Sequence, residues 1–84
     1  MKVLVLDKKL ESDKEGVLSL IAEPLFRRGH EVRIFKCLHD AKNSHCNLSE
    51  YERVVAHPSP EDARTLYEEM QKRNSIKVIL YGGD

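Results

Sequence analysis

The chain has no tryptophan and no excess of charge of either sign: 14 Lys and Arg balance 14 Asp and Glu. Balance of that kind excludes a nucleic-acid binder that works by bulk positive charge, and it excludes a polyanionic tail. No apolar run approaches the roughly 20 residues that a membrane-spanning helix needs. The opening apolar stretch stops at Asp7, Lys8 and Lys9, too early for the core of a signal peptide. Only two cysteines occur, Cys37 and Cys46, too few for a disulfide framework. Without a secretion signal they read as reduced thiols, and the expected location is cytoplasmic. Neither a G-x-G-x-x-G turn nor a P-loop is present. No motif assembles a nucleophile, a base and oxyanion donors, so the expected class is non-catalytic.

What is there is the mix of a globular chain, with 40 % hydrophobic and 33 % charged residues. Its 84 residues make one domain, 1–84, with no internal repeat. A domain this short buries only about 60 % of its unfolded surface, so a metal or a partner chain would add usefully to its stability.

Lys2 to Asp7 is a Val- and Leu-rich run ending in an acid, the pattern of a buried parallel strand. Ser12 to Arg28 reads as a helix. Ser12 and Glu15 have capping-box spacing, and Val17, Leu18, Ile21, Leu25 and Phe26 recur on one face. Gly29 supplies a left-handed stop, while Pro24 should kink or split the helix. His30 to Cys37 is a second strand, and its charges suit an edge. Leu38 to Glu50 is weakly patterned and reads as a loop with one short helical turn. Tyr51 to His57 is the third strand. Ser59-Pro60-Glu61-Asp62 then opens a helix with a hydroxyl cap, a proline and two acids. Its apolar stripe is Ala63, Leu66, Tyr67 and Met70, and Asn74 is its expected stop. Ile76 to Tyr81 is the last strand.

Strands that alternate with helices in this way form a parallel sheet with helices on both faces. The expected fold is therefore a small three-layer α/β arrangement with a four-stranded parallel sheet, order 2-1-3-4, of the flavodoxin-like kind. The pattern resembles the receiver domain of two-component response regulators over nearly the whole chain. Lys2-Val3-Leu4-Val5-Leu6-Asp7 is similar to the first receiver strand with its terminal acid. Tyr51 to His57 is similar to the third, which in that family ends in the phospho-accepting Asp. Ile76 to Gly82 is similar to the fourth, which leads into the switch hydroxyl. The resemblance implies a regulatory module, but His57 stands at the acceptor position, Lys8 and Lys9 follow Asp7, and no Ser or Thr ends the last strand. Aspartyl phosphorylation is therefore not expected. The chain ends where a fifth receiver strand would begin, as a fragment of a longer receiver would.

Three sets of residues carry candidate sites. Asp7, His57 and Ser59 should meet at the switch point of the sheet, either as a ligand-binding crevice or as a polar network that satisfies the strand ends. Cys37, His39, His45 and Cys46 are zinc-type ligands at a spacing foreign to standard fingers, so Zn²⁺ binding stands beside a plain solvated loop. Gly82-Gly83-Asp84 could approach a phosphate or could simply be a frayed end. Lys8, Lys9, Arg27 and Arg28 read as a basic patch or as charges matched to a helix end. The sharpest expectation concerns the last strand. Ile76, Val78, Ile79, Leu80 and Tyr81 make it apolar on both faces, Lys77 is its only guard, and it lies at an edge. Either the loop 38–50 folds back over it, or it meets a protein partner, with a homodimer the simplest case.

Overall fold

A computed structural model describes residues 1–72 and 76–81. Asn74 and the Gly82-Gly83-Asp84 tail lie outside the described residues. Four strands, β1 (Lys2–Asp7), β2 (Glu31–Phe35), β3 (Arg53–His57) and β4 (Lys77–Leu80), form one all-parallel sheet in the order β2-β1-β3-β4. β1 sits in the middle and is buried from Val3 to Asp7. This is why it reads as a continuous apolar run instead of an alternating one.

Helices cover both faces, unequally. On one face lie α1 (Lys14–Val17), a π turn (Leu18–Ala22) and α2 (Glu23–Arg27), end to end. Val17 and Ala22 bury there, on the side of the sheet presented by Val3 and Val5. On the other face α3 (Leu38–Asn43) and α4 (Pro60–Lys72) enclose a larger core. There Leu38, Ala41, Cys46 and Leu66 pack on Leu4, Leu6, Val54 and Ala56. Tyr51 precedes β3 and is buried in the same cluster, where loss of solvent pushes its phenol up to about 12.

The first helix departs from expectation at its start and along its apolar stripe. It starts one residue late: Asp13, not Ser12, is the N-cap, its carboxylate accepting from the Gly16 N–H at 3.3 Å. The Ser12 hydroxyl instead donates back to the Lys9 carbonyl. The segment is divided beside Pro24, as expected: the π turn ends at Ala22 and α2 starts at Glu23 with Pro24 in its first turn. The Glu23 N–H reaches the Leu18 carbonyl, five residues back. That widened turn ends just before Pro24, whose ring and missing N–H an ordinary turn could not accommodate. Along the stripe Ala22 is buried, while Phe26 is 70 % exposed beside Val32 and Ile34 at the β2 edge.

The stretch 38–50 is more ordered than a loop. α3 and a 3₁₀ turn (Leu48–Glu50) occupy it, and α3 packs beside β2 on the α4 face. Leu38, Ala41 and Cys46 of this stretch share one core cluster with Ile76, while Ile79 and Leu80 stay exposed. Both short helical arms end alike. Gly29, at φ 86°, follows α2, with N–H bonds from Gly29 to Phe26 and from His30 to Leu25. His45, at φ 60°, follows α3, with bonds from His45 to Lys42 and from Cys46 to Ala41. Each is a left-handed stop that satisfies two terminal carbonyls.

Candidate functional site

The chain leaves β1 toward α1 on one face and leaves β3 toward α4 on the other. The C-terminal ends of these two neighbours therefore open a crevice between them. Asp7 and His57 are register partners at that opening. Strand alternation puts both on the α1 face, and it puts Tyr81, just past β4, there as well.

Asp7 is the one buried charged residue among the described residues, 3 % exposed. Its Oδ1 accepts from the Lys9 N–H at 2.8 Å, and its Oδ2 accepts from the Tyr81 hydroxyl at 2.6 Å. His57 Nδ1 lies 3.7 Å from Oδ1, too far for a strong hydrogen bond and close enough for an ion pair when the imidazole is protonated. The rings of His57 and Tyr81 are tilted at 56°, with centroids 5.8 Å apart. Burial and the Asp7 carboxylate together hold the Tyr81 phenol well above its ordinary pKa, so it remains a donor. Above this polar floor is a cavity of about 260 Å³, with Val17, Leu20 and Ile21 as an apolar wall and Lys9, Asp13 and Gly16 completing the lining.

Chemically, the arrangement is a carboxylate that fixes a phenol and faces an imidazole. It can orient a small polar group against His57, with apolar contact on the helix side. Ser59 is not part of it. Its hydroxyl accepts from the Asp62 N–H at 3.3 Å and its carbonyl from the Ala63 N–H at 2.9 Å, so it caps α4. Tyr81, expected at the edge surface, takes its place here instead. The available signal was its period-two alternation from Ile79, at the same sheet end as the acid.

The Cys and His candidates do not converge. His39 and His45 are exposed, Cys37 is half-buried and Cys46 is buried, and both thiols are free. Cys46 Sγ lies 3.7 Å from Arg33 Nη2 and 3.8 Å from the Ser44 carbonyl. Among the described residues no three His, Cys, Asp or Glu side chains are grouped to hold a metal ion. The adjacent His45 and Cys46 belong instead to a helix stop, His45 in the left-handed position and Cys46 tucked behind it. Nor do the basic residues form one patch: Arg27 pairs with Glu23 at 2.6 Å, and Lys9 belongs to the crevice.

The β4 candidates divide three ways. Ile76 is 7 % exposed and is core, not surface, and Val78 packs partly against the same cluster. Tyr81 turns into the crevice. Ile79 and Leu80, 39 % and 59 % exposed, are left at the surface. Leu80 and Val78 border a groove of about 220 Å³ with Ala63, Leu66, Tyr67 and Met70 of α4. On the opposite face Val55 is only half-buried, so helical cover thins from β1 outward to Ile79.

No helix among the described residues is long and apolar enough to cross a membrane. No family model, curated protein or solved structure matches the chain.

Proposed function

We propose that the chain is a non-catalytic, receiver-like interaction module that acts as a homodimer or as a subunit of a larger assembly, without aspartyl phosphorylation. One observation carries this reading: β4 is an edge strand whose Ile79 and Leu80 lie at the surface, beside an apolar α4 flank. The crevice supports the non-catalytic half. Receiver chemistry needs an acceptor carboxylate and acid oxygens free for a cation. Here His57 stands where the acceptor would be, and both Asp7 oxygens already accept from Lys9 and Tyr81. Sedimentation at micromolar concentration, with amide exchange read in the same sample, tests the reading. Self-association or capture by a partner, with slowed exchange in β4, is the expected result. A stable monomer whose β4 amides exchange freely, with no aggregation, refutes it.

A second reading is favoured by the Asp7–His57–Tyr81 cluster: a small-ligand binding protein that uses the crevice. Perturbation of the His57 ring resonances by a compound library, abolished in His57→Ala, is its test. The zinc form of this reading lacks a converged ligand set among the described residues. Stoichiometric zinc on the purified chain, with unfolding on chelation, would restore it.

A further inference from the structure

We infer that two copies of this chain join β4 to β4 in antiparallel fashion across a two-fold axis at Ile79, making one continuous eight-stranded sheet. This rests on the interaction-module reading and names its partner and register.

The register follows from which backbone groups point outward. The Lys77 N–H donates to the Glu52 carbonyl at 3.2 Å, and the Tyr81 N–H to the Ala56 carbonyl at 2.9 Å. In a parallel pair every second residue turns both of its backbone groups to the same neighbour. Lys77, Ile79 and Tyr81 therefore face β3. Val78 and Leu80 present their N–H and C=O groups to the free edge.

A closed dimer is isologous, so an edge must be complementary to itself. A two-fold normal to the sheet makes the facing strands antiparallel and keeps each α4 on the same side. Pairing Val78 with the partner's Leu80, and Leu80 with the partner's Val78, satisfies all four outward residues at once. Ile79 then faces its own counterpart in the close, non-hydrogen-bonded position. The rival registers are worse. Val78 on its own counterpart sets Leu80 against the partner's Ile76, which is core, and Lys77 against the partner's Ile79. Leu80 on its own counterpart carries the pairing past the end of the strand. Centred on Ile79, each Lys77 meets the partner's Tyr81. The two ammonium groups are then four strand positions apart, about 13 Å along the edge.

Side chains agree with the backbone. On the α4 side, Leu80 gains the partner's Val78, next to the exposed Tyr67 and Met70. On the other side, where helical cover is thinnest, the two Ile79 side chains cover each other. The opposite edge differs in its strand: β2 exposes the charged Glu31 and Arg33, and Glu31 pairs with Lys2 at 3.6 Å, although Val32 and Ile34 border an apolar groove of about 240 Å³ with Leu18, Ala22 and Phe26.

The test is site-directed crosslinking in a Cys37→Ser background, since Cys46 is buried. Non-hydrogen-bonded partners lie with Cα atoms about 4.5 Å apart, within disulfide range. Ile79→Cys should oxidise to a covalent dimer, and Lys77→Cys should not. Ile79→Lys, which opposes two ammonium groups at the axis, should weaken association by about tenfold or more. In the unmodified chain, mixed-label spectra should show amide contacts from Val78 to the partner's Leu80. Association without a link at position 79 and without those contacts overturns the register and leaves the interaction reading standing. A monomeric chain with freely exchanging β4 amides overturns both.

Discussion

Tyr81→Phe removes a single oxygen, and the structure says what that oxygen does. The hydroxyl donates to Oδ2 of Asp7 at 2.6 Å, and Asp7 is 3 % exposed. The variant keeps the ring and takes away a donor from a buried carboxylate. A hydrogen bond to a charged group contributes about 1.5–3 kcal/mol, and water entering the crevice recovers part of it, so a loss of about 2 kcal/mol is expected. For a chain of this length total stability is on the order of 4–13 kcal/mol, so the loss is a substantial share. It corresponds to a Tm lower by about 8–16 °C. The pH dependence provides a second, independent readout. The folded pKa of Tyr81 lies above its unfolded value of 10.0, first through burial and then through Asp7. The folded chain thus holds the phenolic proton more tightly. This stabilisation is complete below pH 10 and is lost as pH rises through the folded pKa. Tyr81→Phe should flatten the alkaline loss in part only, because Tyr51, pushed up to about 12, keeps its own share. Thermal unfolding by circular dichroism, at neutral pH and at about pH 10.5, reads both effects. Chain concentration must be fixed, since association shifts Tm. Tyr67→Phe, at a site 60 % exposed, is the control. A Tyr81→Phe chain with unchanged Tm and unchanged alkaline behaviour would show that the bond to Asp7 contributes nothing.

Two further substitutions probe the helix ends. His45→Gly should raise stability by about 0.5–1 kcal/mol, since a left-handed position at φ 60° strains any residue with a Cβ; the urea midpoint checks it. Asp62→Ala should cost about 1–2 kcal/mol, because its Oδ2 accepts from the Leu38 N–H at 3.1 Å and so caps α3 from a different helix; faster exchange at the Leu38 amide would accompany the loss.

The sheet was readable because its signals are local. Val and Leu runs mark β1, β3 and β4, while Gly29 and the Ser59-Pro60 pair punctuate the helices between them. α3 was readable only as one short helical turn, because its signals are neither local nor typical. Cys37 at its N-cap makes no side-chain cap bond, and the group that does the capping, Asp62, is 24 residues away. Its stop is a histidine where a glycine is usual. The offset of one residue at Asp13 has a simpler cause: Ser12 and Asp13 both have cap chemistry, and only the backbone geometry chooses between them.

The crevice was half readable for a related reason. Asp7 and His57 end their strands, and a strand end in a parallel sheet is a place the sequence can name. Tyr81 joins them through the β3–β4 register, which pairing alone decides. That register also governs the edge. Because Lys77 and Tyr81 give their N–H groups to β3, Val78 and Leu80 turn theirs outward. Because Tyr81 points its ring toward Asp7, Leu80 points to the α4 side. A slip of one residue in β4 would withdraw the phenol from Asp7 and present Lys77, Ile79 and Tyr81 at the edge. The Tyr81–Asp7 bond therefore anchors β4 in the one alignment that exposes the groups a second copy would need. Tyr81→Phe should accordingly loosen the Ile79→Cys crosslink as well as lower Tm, and a crosslink formed just as fast without the phenol would separate the crevice from the edge.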